Sequence, residues 1–147
     1  MKTIGIIGGG QLGQMMAISA TYMGHKVITL DPDPNCPASL VAEQIVAKYD
    51  DTAAIANLAA RADVLTYEFE NVSADALAPY EDKLPQGLDL LRISQNRIFE
   101  KDFLTKAGVK VAPYTVINTL EDLNDLDLSK KHVVKTATGG YDGHGQV

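Results

Sequence analysis

The first thirteen residues, MKTIGIIGGGQLG, limit what this chain can fold into more than any other stretch. A β-branched run (Thr3, Ile4, Ile6, Ile7) breaks into three glycines and then into a helical pattern, which predicts strand, tight turn, helix. Glycines lack Cβ, so they reach positive φ and let backbone N–H groups approach an anion. The helix that follows aims its positive end at the same spot, so the turn reads as a site for a phosphate. Gly8, Gly10 and Gly13 satisfy G-x-G-x-x-G, and Asp31 closes the next apolar run, VITLD, about where a ribose-binding acid sits in a dinucleotide fold. Nicotinamide binding is therefore one reading. A tight turn that merely lets helix pack on strand is the other, because a lone glycine fingerprint is weak.

Beyond the turn, Gln11 to Met23 carries Leu12, Met15, Met16, Ile18 and Ala20 at helical spacing, which places the methionines in a core. Gly24 ends that helix, and His25 to Asp31 returns as a strand. Asp31 to Ser39 holds three prolines and reads as a loop at the carboxyl end of that strand, the edge where open parallel sheets bind ligands. Cys36 lies in this loop with no local cation or helix start to lower its pKa, so it reads as inert. A short strand (Gln44 to Tyr49), a helix capped by Asp50-Asp51-Thr52 (Ala53 to Arg61), a central strand (Asp63 to Phe69) and a helix (Ser73 to Leu84) follow. Strands alternating with helices predict a doubly wound parallel α/β sheet. Its edge would bring together Gly8 to Gly13, Asp31 to Ser39, and Glu68 to Asn71. Glu68 and Glu70 are costly to bury without a purpose; they either accept hydrogen bonds from a substrate or simply mark the exit into solvent.

At 147 residues the chain is long enough for one domain with a core and short for two. Thirteen Lys plus Arg against nineteen Asp plus Glu give a net charge of −6 with no basic cluster, which speaks against a nucleic-acid partner. One cysteine forbids an internal disulfide, and three scattered histidines offer no zinc spacing. The N-terminal apolar run is too short and glycine-rich for a membrane span and lacks a signal peptide's pattern. A cytoplasmic protein is the expectation.

From Asp89 the pattern becomes one long amphipathic helix to Gly108, with Leu90, Leu91, Ile93, Ile98, Phe99, Phe103 and Leu104 on its buried side and Arg97 and Lys101 sharing a face. A strand over Val109 to Asn118, a short acidic helix around Leu120 to Leu126 and a strand over Lys131 to Lys135 follow. The terminal stretch KTATGGYDGHGQV then delivers Lys135, four glycines (Gly139, Gly140, Gly143, Gly145) and a return strand starting at Gln146. Such a hairpin can fold over a triphosphate with backbone N–H groups and a lysine. Its spacing is not that of a P-loop. A ligand-free glycine hairpin and a glycine-rich flexible tail are the plainer alternatives.

GIIGGGQLGQMM, DPDPNCPA, TYEFENV, SQNRIFEKDFL and KTATGGYDGHGQV, in this order, resemble the amino-terminal part of the N5-carboxyaminoimidazole ribonucleotide synthetases, ligases of the ATP-grasp superfamily. The resemblance covers essentially the whole chain. It implies a Rossmann-like pre-ATP-grasp domain over residues 1–88, followed by a linking helix and the start of an ATP-grasp domain over 89–147. The implied reaction is ATP-driven carboxylation of 5-aminoimidazole ribonucleotide by bicarbonate in purine biosynthesis, through carboxyphosphate. Arg97, Lys135 and the flap Gly140, Tyr141, Asp142, Gly143, His144, Gly145 and Gln146 resemble the family's ATP contacts; Gly10, Gln11, Leu12 and Glu70 resemble its ribonucleotide site. His144 departs from the Lys or Arg common at that flap position, which weakens any phosphate contact there because histidine is mostly neutral at pH 7.

The resemblance also implies Mg²⁺, with its ligands beyond residue 147, and a homodimer. The chain accordingly reads as a piece of a longer one, without turnover by itself. Two readings from other classes compete: a nicotinamide-dependent oxidoreductase domain, which Pro32 and Pro34 crowd, and a non-catalytic assembly module. Protection by NADH would mark the first, and indifference to nucleotides the second.

Overall fold

The structure is a computed structural model and describes residues 1–127, 129–140 and 145–147. It divides into two compact units, Met1–Leu91 and Arg92–Val147. In the first, strand β1 (Thr3–Ile7) leads through the glycine turn into helix α1 (Gln11–Tyr22), then β2 (Lys26–Asp31), β3 (Glu43–Val46), α2 (Thr52–Arg61), β4 (Val64–Tyr67) and the short α3 (Ala74–Leu77). The four strands form one parallel sheet in the order β3-β2-β1-β4. Successive side chains of a strand point to opposite faces, so Ile6 and Ile7 of β1 serve two different cores. Ile7 joins Leu30, Ile55, Leu58, Leu65 and Leu77 on the α2 and α3 side. Ile6 joins Val27, Ala17 and Ala20 beneath α1. This is the doubly wound sheet that the alternating pattern predicts.

Several boundaries and faces differ from expectation, each for a local reason. Helix α1 buries Gly13, Ala17 and Ala20, whose small size lets it lie close to the sheet, and leaves Met15 and Leu12 mostly exposed at 62% and 59%. Met15 is therefore outside the core, whereas Met16, partly buried, packs against it as expected. Strand β3 is displaced towards the N-terminus of the predicted Gln44 to Tyr49 run, and the chain after Ala47 forms a loop at the sheet's carboxyl edge. The expected helix over Ser73 to Leu84 is α3 followed by a 3₁₀ segment, Ala78–Lys83, where Pro79 and the non-helical Tyr80 interrupt it.

The long helix from Asp89 is two helices. Helix α4 (Asp89–Ser94) delivers Leu91 to the core of the first unit, and α5 (Arg97–Lys106) starts afresh. Asn96 makes the break. Its backbone is extended and its side-chain Oδ1 accepts the N–H groups of Ile98 (2.9 Å) and Phe99 (3.3 Å), the N-cap arrangement that asparagine favours over a helix interior. Phe99 and Phe103, expected on a buried side, are exposed, and α5 buries no residue.

No strand forms over Val109 to Asn118. A strand needs a ladder partner, Pro113 cannot donate to one, and Val109, Tyr114, Val116 and Ile117 stay exposed. Asp122 closes the segment instead, accepting the N–H groups of Asn118 (2.7 Å) and Thr119 (2.9 Å). These two bonds hold its carboxyl below the usual carboxylate range. Among the described residues no helix is long and apolar enough to cross a membrane.

Removing the Asn96 cap tests the break between α4 and α5. Asn96→Ala should cost about 1 kcal/mol of helix stability, read as a roughly fivefold loss of amide-exchange protection at Ile98 and Phe99 with the amides of β1 unaffected.

Candidate functional site

Strand β1 lies between β2 and β4, and each neighbour ends in an acid. Ile7 pairs with Leu30 on one side and with Tyr67 on the other, so the residues after it, Gly8 onward, turn between Asp31 and Glu68. Both acids reach inwards. The Gly9 N–H donates to Asp31 Oδ2 (2.7 Å), the Gly10 N–H to Glu68 Oε1 (3.1 Å), and the Gly13 N–H to Glu68 Oε2. The amides that a G-x-G-x-x-G turn would offer a pyrophosphate are occupied by the chain's own carboxylates.

The glycines are required by this packing. A Cβ on Gly8, at φ +106°, would collide with the Glu68 side chain, and one on Gly10 would come within 2.9 Å of Glu68 Oε1. At Gly9 it would strike the Cys36 sulfur, and at Gly13 the Gly8 carbonyl. Of the two explanations for the glycine run, close packing accounts for all four positions.

Asp31 is 5% exposed and its carboxylate has three donors: Gly9 N–H, the Tyr49 hydroxyl (2.7 Å) and the Asp33 N–H (2.9 Å). It is therefore not presented to a ribose, and the nicotinamide reading loses its acid. Tyr49 went unremarked in the sequence. Its phenol is pushed well above the ordinary tyrosine range, first by burial and then by the hydrogen bond to Asp31, so it remains a donor at any physiological pH. Cys36 is buried, and burial raises its thiol, so it is protonated and unreactive near neutrality, as its surroundings in the sequence suggested.

The three expected loops do meet at one edge: Ala38 N–H donates to the Gly9 carbonyl (2.9 Å), and the bonds above tie in Asp31 and Glu68. A fourth joins them. Lys48, Tyr49 and Asp50 face Pro32 on one side and Asn71, Val72 and Ser73 on the other across an open groove of about 390 Å³. Gly10 stands at the start of α1, with Gln11 and Leu12 exposed in its first turn; Glu70 lies two residues beyond Glu68, partly buried. The strand expected over Asp63 to Phe69 ends at Tyr67, so Glu68 and Glu70 both lie beyond it.

In the second unit Arg97 holds the other glycine segment twice. Its N–H donates to the Ala137 carbonyl (2.8 Å) and its guanidinium Nη2 to the Gly140 carbonyl (3.0 Å). Lys135 forms an antiparallel bridge with Gln146, Thr136 N–H donates to the Gly145 carbonyl (2.8 Å), and Val134 and Val147 exchange two bonds of 2.9 Å. The predicted hairpin is thus closed at its base by an isolated bridge, without the strands expected over Lys131 to Lys135 and from Gln146, and with Gly139 and Gly145 at positive φ. Tyr141, Asp142, Gly143 and His144 lie outside the described residues. Lys101, expected on a solvated face with Arg97, stands 5.1 Å over the Tyr114 ring. Among the described residues no three His, Cys, Asp or Glu side chains come together to hold a metal.

A four-stranded parallel sheet in the order 3-2-1-4, with a glycine turn at its carboxyl edge, defines the class: a Rossmann-like α/β domain whose turn is filled from within. The chain belongs to the ribonucleotide synthetase preATP-grasp domain family, which matches residues 1–87. It is 51% identical, over 99% of its length, to N5-carboxyaminoimidazole ribonucleotide synthase of Staphylococcus haemolyticus. Among solved structures it is similar to the Staphylococcus aureus N5-carboxyaminoimidazole synthetase complexed with ADP (48% identity, TM-score 0.92, 99% of this chain and 40% of that one). It is also similar to the Aspergillus clavatus synthase in complex with ADP and 5-aminoimidazole ribonucleotide (27%, TM-score 0.81, again 99% and 40%). The chain spans about 40% of the length of these relatives.

Removing the Tyr49 hydroxyl leaves the Asp31 carboxylate short of one donor in a buried place. Tyr49→Phe should destabilise the fold by about 1.5–3 kcal/mol in urea unfolding at pH 7. Because the folded phenol titrates above the unfolded value of about 10, this contribution is full below pH 10 and fades as pH rises further, so the gap between the two proteins should narrow there.

Proposed function

We propose that this chain is the amino-terminal part of a ligase that uses ATP and bicarbonate to carboxylate the amine of 5-aminoimidazole ribonucleotide. The observation that carries the reading is the likeness to N5-carboxyaminoimidazole ribonucleotide synthases along 99% of the chain at 51% identity. In this reading residues 1–88 form the substrate-side domain and residues 89–147 open the ATP-grasp domain of a cytoplasmic homodimer. The γ-phosphoryl group of ATP passes to a bicarbonate oxygen, giving ADP and carboxyphosphate. The amine then attacks the carboxyl carbon, the C–O bond to phosphate breaks, and the nitrogen gives up a proton.

The chain's own residues take binding roles. Lys135, exposed at the base of the hairpin, supplies positive charge to the nucleotide phosphates, and Gly140 to Gln146 cover them with backbone N–H groups. Arg97 anchors the near side of that flap through the Gly140 carbonyl. Gly10, Gln11 and Leu12 line the ribonucleotide site, and the N–H groups of Gln11 and Leu12 are not among those taken by Asp31 and Glu68. Glu70 is the acid that accepts from the substrate. No group of three His, Cys, Asp or Glu side chains among the described residues fits Mg²⁺.

The test is phosphate release by a chimera that joins residues 1–147 to the remaining length of the Staphylococcus haemolyticus relative, with ATP, Mg²⁺ and bicarbonate. Release should depend on added 5-aminoimidazole ribonucleotide and fall at least about tenfold, ~1.4 kcal/mol of transition-state binding, in Lys135→Ala and in Glu70→Ala. A folded chimera that releases phosphate at the same rate without the ribonucleotide would remove the reading.

A further inference from the structure

We infer that Glu68 is a built-in anion that closes the glycine turn to nucleotide phosphates and makes this Rossmann-like domain reject dinucleotides. In a dinucleotide fold the pyrophosphate rests on the N–H groups of the glycine turn at the start of the following helix. Here the Glu68 carboxylate receives the N–H groups of Gly10 and Gly13, one on each oxygen, at the start of α1. A carboxylate accepting two amides at a helix N-terminus makes the charge-assisted bonds a phosphate oxygen would make. The place of the ligand is taken by a side chain of the protein itself, from just beyond the end of the neighbouring strand.

Two further observations make the occupancy a feature of the whole turn. Glu68 fills the space that the absent Cβ atoms of Gly8 and Gly10 leave, and it would lie 3.2 Å from one on Gly13. All three glycines of the fingerprint thus border the same carboxylate. Asp31 completes the closure by taking the Gly9 N–H while buried against Tyr49. A phosphate entering the turn would have to displace Glu68 and then sit beside two carboxylates, in a chain of net charge −6. Glu68 is accordingly a specificity-determining residue that also fixes the backbone from which Gln11 and Leu12 project. The inference stands independently of the carboxylation reading.

The experiment is a titration of the 147-residue chain with inorganic phosphate and with NADH, followed at the backbone amides of Gly9, Gly10 and Gly13 by NMR. In the native chain those amides should not respond saturably; a response confined to Gln11 and Leu12 agrees with the closure, since those N–H groups lie outside it. In Glu68→Ala the Gly10 and Gly13 amides should respond to phosphate with affinity at least about tenfold above native. Glu68→Gln keeps the side chain's shape without its charge. Its Gly10 and Gly13 amide protons should move upfield as the charge-assisted bonds weaken, and its phosphate affinity should fall between the other two. Saturable binding at Gly10 and Gly13 in the native chain would overturn the inference. So would a folded Glu68→Ala, or failing that Glu68→Gln, in which phosphate affinity at these amides equals the native value.

Discussion

The first unit depends on two carboxylates laid across one turn. A parallel sheet leaves the amides after its central strand unpaired at the carboxyl edge, and a helix beginning there adds more. These groups must be satisfied. In many folds of this shape the ligand does it. Here Asp31 and Glu68 do it from the flanking strands, and the bonds cross β1 from both sides. The turn, the start of α1, and the ends of β2 and β4 are thereby a single hydrogen-bonded assembly.

The two cores follow from the same centre. Since β1 is flanked on both sides, Ile6 and Ile7 are buried on opposite faces, and everything else packs outward from them. Gly5 belongs to this logic as well: a Cβ there would come within 2.7 Å of Leu65 and 3.0 Å of Leu58, so its absence lets α2 settle against the sheet. Close approach governs α1 in the same way, through Gly13, Ala17 and Ala20. Small residues set the spacing of the layers, and Leu12 and Met15 of α1 are left at the rim.

The fold of the first unit was legible because strand and helix periods alternate cleanly and each turn carries its own chemistry, as with Gly24 after α1 and Asp51 capping α2. The meaning of the glycine run was not legible from the run itself. G-x-G-x-x-G states that something approaches the backbone closely, and only the neighbouring strands say what. The signal was present, since VITLD and TYE both place an acid at the end of a strand, but it becomes readable only once β2 and β4 are known to flank β1. Tyr49 was hidden for the same reason, its partner Asp31 being 18 residues away in sequence. In the second unit, periodicity misled. The run from Asp89 is helical in pattern on both sides of Asn96, and a side chain that competes for the backbone of Ile98 and Phe99 outweighs continuity of pattern.

That break has a structural consequence for the second glycine segment. Arg97 is the first residue of α5 because Asn96 caps it, and a first-turn N–H has no partner within its helix. The Arg97 N–H is therefore available to the Ala137 carbonyl, while its guanidinium takes the Gly140 carbonyl three residues on. In a continuous helix from Asp89 that N–H would be bonded to the carbonyl four residues back, and only the side chain would be left to reach the loop. Capping at Asn96 thus converts one arginine into a two-point clamp on Ala137 and Gly140. A cluster of glycines has little conformational preference of its own. What gives this one a defined approach is the clamp at Ala137 and Gly140 on one side and the Lys135 to Gln146 bridge at its base.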